Sequence, residues 1–321
     1  MSGLRIVFMG TPEFAVESLE ELISNHFNIV GVVTSQDKPA GRGQLLHQSP
    51  VKKYALEKGL NLLQPEKLKD PDFIETLRHL QADLQLVVAF RMLPEVVWNM
   101  PALGTFNLHA SLLPKYRGAA PINWAIINGE TESGVTTFKL QHEIDSGTVL
   151  FQERVALGIS DTAGDLHDRL MHTGARLLVK TAKTIEEHGL AKTELRLTPQ
   201  DKGLISHAPK LHKDTCRIDW SQSAVDIYNL IRGLSPYPTA FSHLKNGEDG
   251  ARTIKLFNSR YTISAHEQPN GLLSTDSKTS LQVYCKDGLL DLSEVQLEGK
   301  KRMPVGEFLK GFKIKEGAHL F

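Results

Sequence analysis

Apolar residues near the start of the chain fall into short, unbroken blocks. Ile6-Val7-Phe8-Met9 runs without a polar residue and stops at Gly10-Thr11-Pro12, the pattern of a strand buried on both faces and closed by a turn. Pro12 suits a first helical position, and Phe14, Ala15, Leu19, Leu22 and Ile23 then share one helical face. Ile29-Val30-Gly31-Val32-Val33 predicts a second strand and Leu84-Gln85-Leu86-Val87-Val88-Ala89 a third. Asp70-Pro71, between them, supplies a cap and a first residue for the intervening helix. Strand and helix in alternation predict an α/β fold, a doubly wound, mainly parallel sheet with helical crossovers.

Further along the pattern changes. A long amphipathic segment, 163–188, closes the first region, and a polar connection, 200–220, follows it. Ile227, Leu230, Ile231 and Leu234 then mark one more helix. Beyond it come short strand-like runs at 253–257, 261–264, 281–285 and 289–295, separated by Pro269-Asn270-Gly271 and Lys286-Asp287-Gly288 turns. These predict a small all-β unit, with the boundary near residue 205.

Composition narrows the function. With 321 residues, 40% hydrophobic and 23% charged, the chain is globular and long enough for two domains. Its 37 basic and 37 acidic side chains cancel, so any nucleic-acid contact must come from a local patch. Two cysteines, Cys216 and Cys285, without a Cys-x-x-Cys pair, exclude a disulfide framework and a structural zinc, and a reducing, cytoplasmic setting is expected. No stretch approaches the roughly 18 to 20 apolar residues of a membrane helix, so no membrane partner is expected. The first turn, Gly10-Thr11-Pro12-Glu13-Phe14-Ala15, has one glycine and an acid where a pyrophosphate would sit, which excludes NAD and FAD. A Walker-type phosphate loop is also missing, so ATP hydrolysis has no support.

Chemistry concentrates in Asn107-Leu108-His109-Ala110-Ser111-Leu112-Leu113-Pro114-Lys115-Tyr116-Arg117-Gly118. Asn107 and His109, two residues apart, point the same way on a strand, and the chain leaves the sheet at Ser111-Leu112-Leu113-Pro114. Open α/β sheets bind ligands there, beyond the carboxyl ends of their strands. A single histidine is more often structural than catalytic, but Asn107 beside it favours a site. Downstream, Ile144-Asp145-Ser146-Gly147 follows a strand-like run. Asp145 is either a turn-former or a carboxylate that hydrogen-bonds His109 and sets its charge and orientation. Asn, His and Asp together suit acyl transfer without a covalent intermediate. The amide and imidazole would stabilise an oxyanion while the carboxylate helps deprotonate an attacking amine.

Asn-x-His with Ser-Leu-Leu-Pro, Arg117-Gly118-Ala119-Ala120-Pro121-Ile122 and the downstream Asp-Ser-Gly resemble the folate-dependent formyltransferases. So do Met9-Gly10-Thr11-Pro12-Glu13-Phe14, Lys38-Pro39-Ala40-Gly41-Arg42-Gly43, Ser49-Pro50-Val51-Lys52, Ala208-Pro209-Lys210-Leu211 and Arg217-Ile218-Asp219-Trp220, across nearly the whole chain. The resemblance implies a catalytic domain over 1–190, a linker over 191–220 and an OB-like, tRNA-binding β-barrel over 221–321. It implies transfer of the formyl group of 10-formyltetrahydrofolate to the α-amine of methionine on initiator tRNA, with no metal or nucleotide cofactor, by a monomer. Asn107, His109 and Asp145 match the catalytic residues, and Ser111, Leu112, Leu113 and Pro114 match the segment that approaches the folate.

Two departures bear on the pterin pocket: Ala89-Phe90-Arg91-Met92-Leu93-Pro94, shorter by about one residue than the family's usual Ala-Tyr-Gly approach, and Glu143 in place of a glycine. The loop around Lys38 and Arg42 is the best tRNA signal, although it also fits a solvated turn. Arg42 between glycines would read the acceptor end, with Lys38 in the same loop, while Lys52, Lys53, Lys210 and Lys213 would neutralise phosphates. Lys300-Lys301-Arg302 reads as an exposed basic run, and Tyr237 and Phe241 are expected in the barrel core. A glycinamide-ribonucleotide or sugar-nucleotide formyltransferase would share the catalytic residues, but not the Arg42 loop with this linker and tail. A formyltetrahydrofolate hydrolase would use water as acceptor. A non-catalytic RNA-binding module is disfavoured by the intact Asn107, His109 and Asp145.

Overall fold

A computed structural model describes residues 3–40, 45–194, 196–248 and 250–321. The chain divides into two compact units: Met1–Gly118, Glu132–Ala156 and His167–His207 make the first, and Ala119–Thr131, Leu157–Leu166 and Ala208–Phe321 the second.

The first unit begins with β1 (Arg5–Gly10), α1 (Glu13–Ser24) and β2 (Asn28–Val33), followed by the hairpin strands β3 (Lys38–Ala40) and β4 (Leu45–His47). Pro12 flanks α1 rather than opening it, a one-residue difference, and Phe14, Ala15, Leu19 and Leu22 are buried as the pattern requires. Then come α2 (Pro50–Glu57), β5 (Leu62–Leu63), α3 (Pro71–His79), β6 (Leu84–Val88), α4 (Glu95–Trp98), β7 (Thr105–His109) and β8 (Arg117–Gly118). Asp70 caps α3 by accepting the Asp72 backbone N–H at 2.9 Å, with Pro71 behind it, an exchange usually worth about 1 kcal/mol. α5 (Pro121–Ile127) belongs to the second unit; the first resumes with β9 (Glu132–Lys139) and β10 (Val149–Ala156), and holds α6 (Ala163–Glu194), interrupted at Gly189, from His167 onward.

The main sheet has the order β10, β9, β7, β6, β1, β2, β5. β5, β2, β1, β6 and β7 are parallel, whereas β9 and β10 run antiparallel at one edge. Val7, Met9 and Val87 pack with Phe73, Leu77 and Val97, while Ile6, Phe8, Leu84 and Leu86, of opposite parity, are equally buried. Burial on both faces is why these strands read as continuous apolar runs. Successive crossovers place β2 on one side of β1 and β6 on the other, so the order reverses between β1 and β6. A crevice at the carboxyl end of such a reversal is where open α/β sheets take ligands.

The second unit contains β11's Ala208, with β11 spanning His207–Ala208, and then α7 (Ala224–Gly233), β12 (Ala240–Lys245) and β13 (Arg252–Ile263). It continues with β14 (Leu273–Thr275), β15 (Leu281–Cys285), β16 (Gly288–Leu297), β17 (Met303–Pro304), α8 (Val305–Gly311) and β18 (His319–Leu320). The antiparallel order is β14, β15, β16, β13, β12, β18. It curls back on itself where Leu273 N–H donates to Ala318 O at 2.9 Å and Leu320 N–H to Gly271 O at 2.8 Å. At Gly271 φ is +83° and a Cβ would lie 2.1 Å from Leu320 O, so a side chain there would block closure. The result is a nearly closed antiparallel barrel, cored by Leu244, Ile254, Leu256, Val283, Leu292 and Val295.

Two expectations change in this unit. The strands expected at 253–257 and 261–264 are one strand, β13, because register shifts around Asn258 absorb the polar interruption without ending the pairing. Phe241 is buried at 8%, but Tyr237, between Pro236 and Pro238, is 82% exposed. Among the described residues no helix is long and apolar enough to cross a membrane.

Candidate active site

β7 ends at His109. Asn107 lies two residues earlier, so alternation puts both on one face of the strand, and β6 and β9 flank them through Val87 and Phe138 opposite Asn107. The His109 ring is buried, with 7% of its side chain exposed. Its Nε2 is 2.9 Å from the Tyr116 carbonyl; a carbonyl only accepts, so Nε2 carries hydrogen. Nδ1 then faces Asp145 Oδ2 at 3.7 Å. That is ion-pair range but too long for a hydrogen bond, so the expected direct His109–Asp145 hydrogen bond is not made. The Tyr116 carbonyl, seven residues on in the same loop, fixes the ring instead.

Asp145 is tightly placed. Its Oδ2 accepts the Gly118 backbone N–H at 2.9 Å, and its side chain is 13% exposed. Its φ is +52°, a left-handed conformation costing roughly 1 to 2 kcal/mol in an ordinary residue and least in Asn or Asp. Two residues later Gly147 passes so close to β9 that a Cβ would sit 1.8 Å from the Lys139 carbonyl. Only glycine fits that crossing. The Asp-Ser-Gly spacing therefore delivers a carboxylate toward β7 in one tight excursion between β9 and β10.

The segment Ser111, Leu112, Leu113 and Pro114 leaves β7 beside this pair. Ser111 is fully buried and its hydroxyl donates to Lys115 O at 2.6 Å. Thr136 Oγ1 donates to Ser111 O at 2.6 Å and accepts Leu113 N–H at 3.1 Å, and Gln152 Nε2 donates to Leu113 O at 2.7 Å. Ser111 and Leu113 thus turn their side chains inward, and hydrogen bonds to the segment's backbone hold it in place.

At the reversal between β1 and β6 lies a cavity of about 310 Å³, bordered by Thr11, Ser35, Gln36, Lys38, Phe90 and Arg91. Lys38, one of the residues expected to hold tRNA, lines it. Arg91, one of the departures noted in the sequence, donates to the carbonyls of Pro65 and Glu66 and lies 5.7 Å from the Phe90 ring centroid. Burial pushes the pKa of its guanidinium down. Glu143, the other departure, is exposed, and its carbonyl accepts the Ser146 hydroxyl at 3.0 Å.

The remaining candidates are dispersed. Arg42 lies outside the described residues. Lys210 and Lys213 are exposed in the second unit, and Lys53 is exposed on α2 in the first. Lys52 is bound to Asp37 at 2.7 Å. Hydrogen bonds from Lys52 and then Gln64 hold the Asp37 carboxyl below its ordinary value. In the 300–302 run, Arg302 pairs with Glu294 at 2.5 Å and lies 4.2 Å from the Phe257 ring centroid. Sequence reasoning assigned no role to Tyr116, Gly118, Thr136, Gln152 or Gln200. Each acts on or through backbone atoms, and side-chain chemistry carries no signal of that.

The chain matches the Formyl transferase family over residues 4–182 and the Formyl transferase C-terminal domain over residues 210–313. It belongs to the formyl transferase family. It is 54% identical to the methionyl-tRNA formyltransferase of Bacteroides fragilis, over 98% of this chain and 96% of that protein. It is 50% identical to the methionyl-tRNA formyltransferase of Flavobacterium johnsoniae over the full length of both. A similar solved fold is the N-formyltransferase of Helicobacter canadensis, in complex with folinic acid and dTDP-3-aminofucose. The TM-score is 0.63 at 21% identity, covering 94% of this chain and all of that one.

Proposed function

We propose that the carboxyl edge of the parallel sheet passes the formyl group of 10-formyltetrahydrofolate to the α-amine of methionine carried by initiator tRNA. What carries this reading is the meeting of His109 and Asp145 at 3.7 Å beyond the end of β7, with Asn107 on the same strand face. Near-full-length identity of 50 to 54% to methionyl-tRNA formyltransferases supports the acceptor.

In the reaction the amine nitrogen attacks the formyl carbon, and the bond from that carbon to N10 of the folate breaks. The amine loses one proton and N10 gains one, so tetrahydrofolate leaves uncharged at that nitrogen. Nε2 of His109 is occupied by the Tyr116 carbonyl, which leaves its Nδ1 edge, beside Asp145, for the reacting centre. The Asn107 carboxamide N–H and the imidazolium form of His109, with a second hydrogen on Nδ1, stabilise the developing oxyanion, a type of contact usually worth a factor of roughly 10² to 10³. Asp145 balances the positive charge that develops on the attacking amine and helps move its proton. Ser111, Leu112, Leu113 and Pro114 border the folate as a rigid wall. Lys38, Arg42 and Lys210 hold the tRNA, Arg42 as reader and the lysines as phosphate contacts.

Residues 1–190 carry the catalysis, 191–220 link, and 221–321 bind tRNA; the protein works as a monomer in the cytoplasm. The test is to incubate it with 10-formyltetrahydrofolate and charged initiator tRNA, release the amino acid and weigh it. N-formylmethionine is expected. Unmodified methionine, with formylation of an amino-sugar nucleotide in a parallel incubation, would overturn the assignment.

A further inference from the structure

Gln200 lies on the polar stretch expected to be a linker, yet it grips the loop that carries Asp145. A β-bridge brings it there: Val149 N–H donates to Thr198 O, and Thr198 N–H to Val149 O, both at 2.8 Å. Two residues on, Gln200 Nε2 donates to the carbonyls of Asp145 and Gly147, each at 2.8 Å. Its Oε1 in turn accepts Arg117 Nε at 3.0 Å and Nη2 at 2.7 Å. Reversing the amide would set its oxygen against two carbonyls and its NH2 against a guanidinium, so the bonding fixes its orientation.

We propose that Gln200, braced by Arg117, is a positioning residue that holds Asp145 in register with His109. Asp145 sits at φ +52°, a conformation that relaxes unless its surroundings hold it. The clamp seizes the carbonyls on either side of Ser146. Arg117 also links the clamp to the other end of the site, because the next residue, Gly118, donates its N–H to Asp145 Oδ2. One side chain thus ties the carboxylate's own backbone to the loop that receives the carboxylate. The spacing at stake is 3.7 Å, and small displacements at a reacting centre cost large factors in rate. The inference rests on Asp145 and His109 being the catalytic pair.

The test is a double-mutant cycle on the full-length protein, read as single-turnover formylation at saturating folate and charged tRNA. Gln200→Leu is expected to lower the rate about 10- to 100-fold while the KM for folate moves less than threefold and the unfolding temperature by a few degrees. In the Asp145→Asn background the same change should cost less than threefold, because Gln200 acts through Asp145. Gln200→Glu keeps the acceptor for Arg117 but turns an oxygen on both carbonyls. It should lose rate as Gln200→Leu does, and it replaces that variant in the cycle if Gln200→Leu does not fold. An undiminished rate in both Gln200 variants, or an equal loss with and without Asp145, overturns the positioning role. A normal rate for Asp145→Asn alone would instead overturn the catalytic pair on which it rests.

Discussion

Replacing Asp145 by Asn removes one charge from the site and little else. The amide oxygen can still accept the Gly118 N–H that Oδ2 accepts at 2.9 Å. Asn tolerates the left-handed conformation at φ +52° as well as Asp does. Folding stability should therefore change by no more than about 1 kcal/mol. The rate should change far more. With His109 as an imidazolium in the transition state, opposite unit charges at the 3.7 Å separation of Asp145 Oδ2 and His109 Nδ1 attract by about 4.5 kcal/mol at an effective dielectric of about 20. At about 1.4 kcal/mol per tenfold in rate, full loss of that term in the transition state is worth about three orders of magnitude. That falls within the range of roughly 10² to 10⁴ expected for removing a charge-stabilising or proton-handling group. The assay is single-turnover transfer to charged initiator tRNA at saturating folate, with folate affinity and thermal unfolding measured on the same preparation. A rate within threefold of wild type, with the fold intact, would reduce Asp145 to a turn residue.

His109→Ala should lose rate comparably, and a rate within threefold of wild type would remove its ring from the reaction. Asn107→Ala should be slower through loss of one oxyanion contact; an unchanged single-turnover rate would remove it from the site. Arg42→Ala should lower kcat/KM for initiator methionyl-tRNA by roughly 1 to 3 kcal/mol at fixed ionic strength, with folate affinity unchanged; an unaltered initiator-to-elongator ratio would make its loop a solvated turn. Lys210→Ala should weaken tRNA binding uniformly and flatten its salt dependence by about one counterion, and an unchanged slope would remove it from the interface. In the barrel, hydrogen bonds from the Ser280 and Lys278 backbones, and then from Thr279, hold the Asp276 carboxyl well below its ordinary range. A depressed carboxyl contributes stability above the unfolded value near 4 and loses it as the pH falls. Urea unfolding between pH 7 and pH 3 should thus show a smaller loss for Asp276→Asn than for wild type, and equal losses would contradict this.

Local patterning made much of the molecule legible. Continuous apolar runs identify strands that are buried on both faces, and the Asp70-Pro71 pair marks the start of α3 where it occurs. Asn107 and His109 are readable because strand alternation is a local rule and a parallel sheet ends at its functional edge. What escaped was set by contacts distant in sequence. The ring of His109 is oriented by a backbone carbonyl, and a carbonyl has no residue signature. Gln200 is one polar residue in a polar stretch, and only the bridge between Val149 and Thr198 reveals where it goes. Tyr237 looked like core because it is aromatic and lies close to a strand, but its side chain is exposed. β13 looked like two strands because a polar interruption reads as a turn, whereas a partner strand as long as β16 can hold it through a bulge.

A single competition measures the central claim most directly. The protein is given 10-formyltetrahydrofolate labelled in its formyl carbon, together with charged initiator tRNA and an amino-sugar nucleotide at equal concentration in water, and the label is followed through one turnover. The account predicts that the label appears on the α-amine of methionine, and that His109→Ala and Asp145→Asn slow its arrival by orders of magnitude. Label recovered as free formate or on the sugar amine, or transfer to methionine at the wild-type rate in both variants, would contradict it.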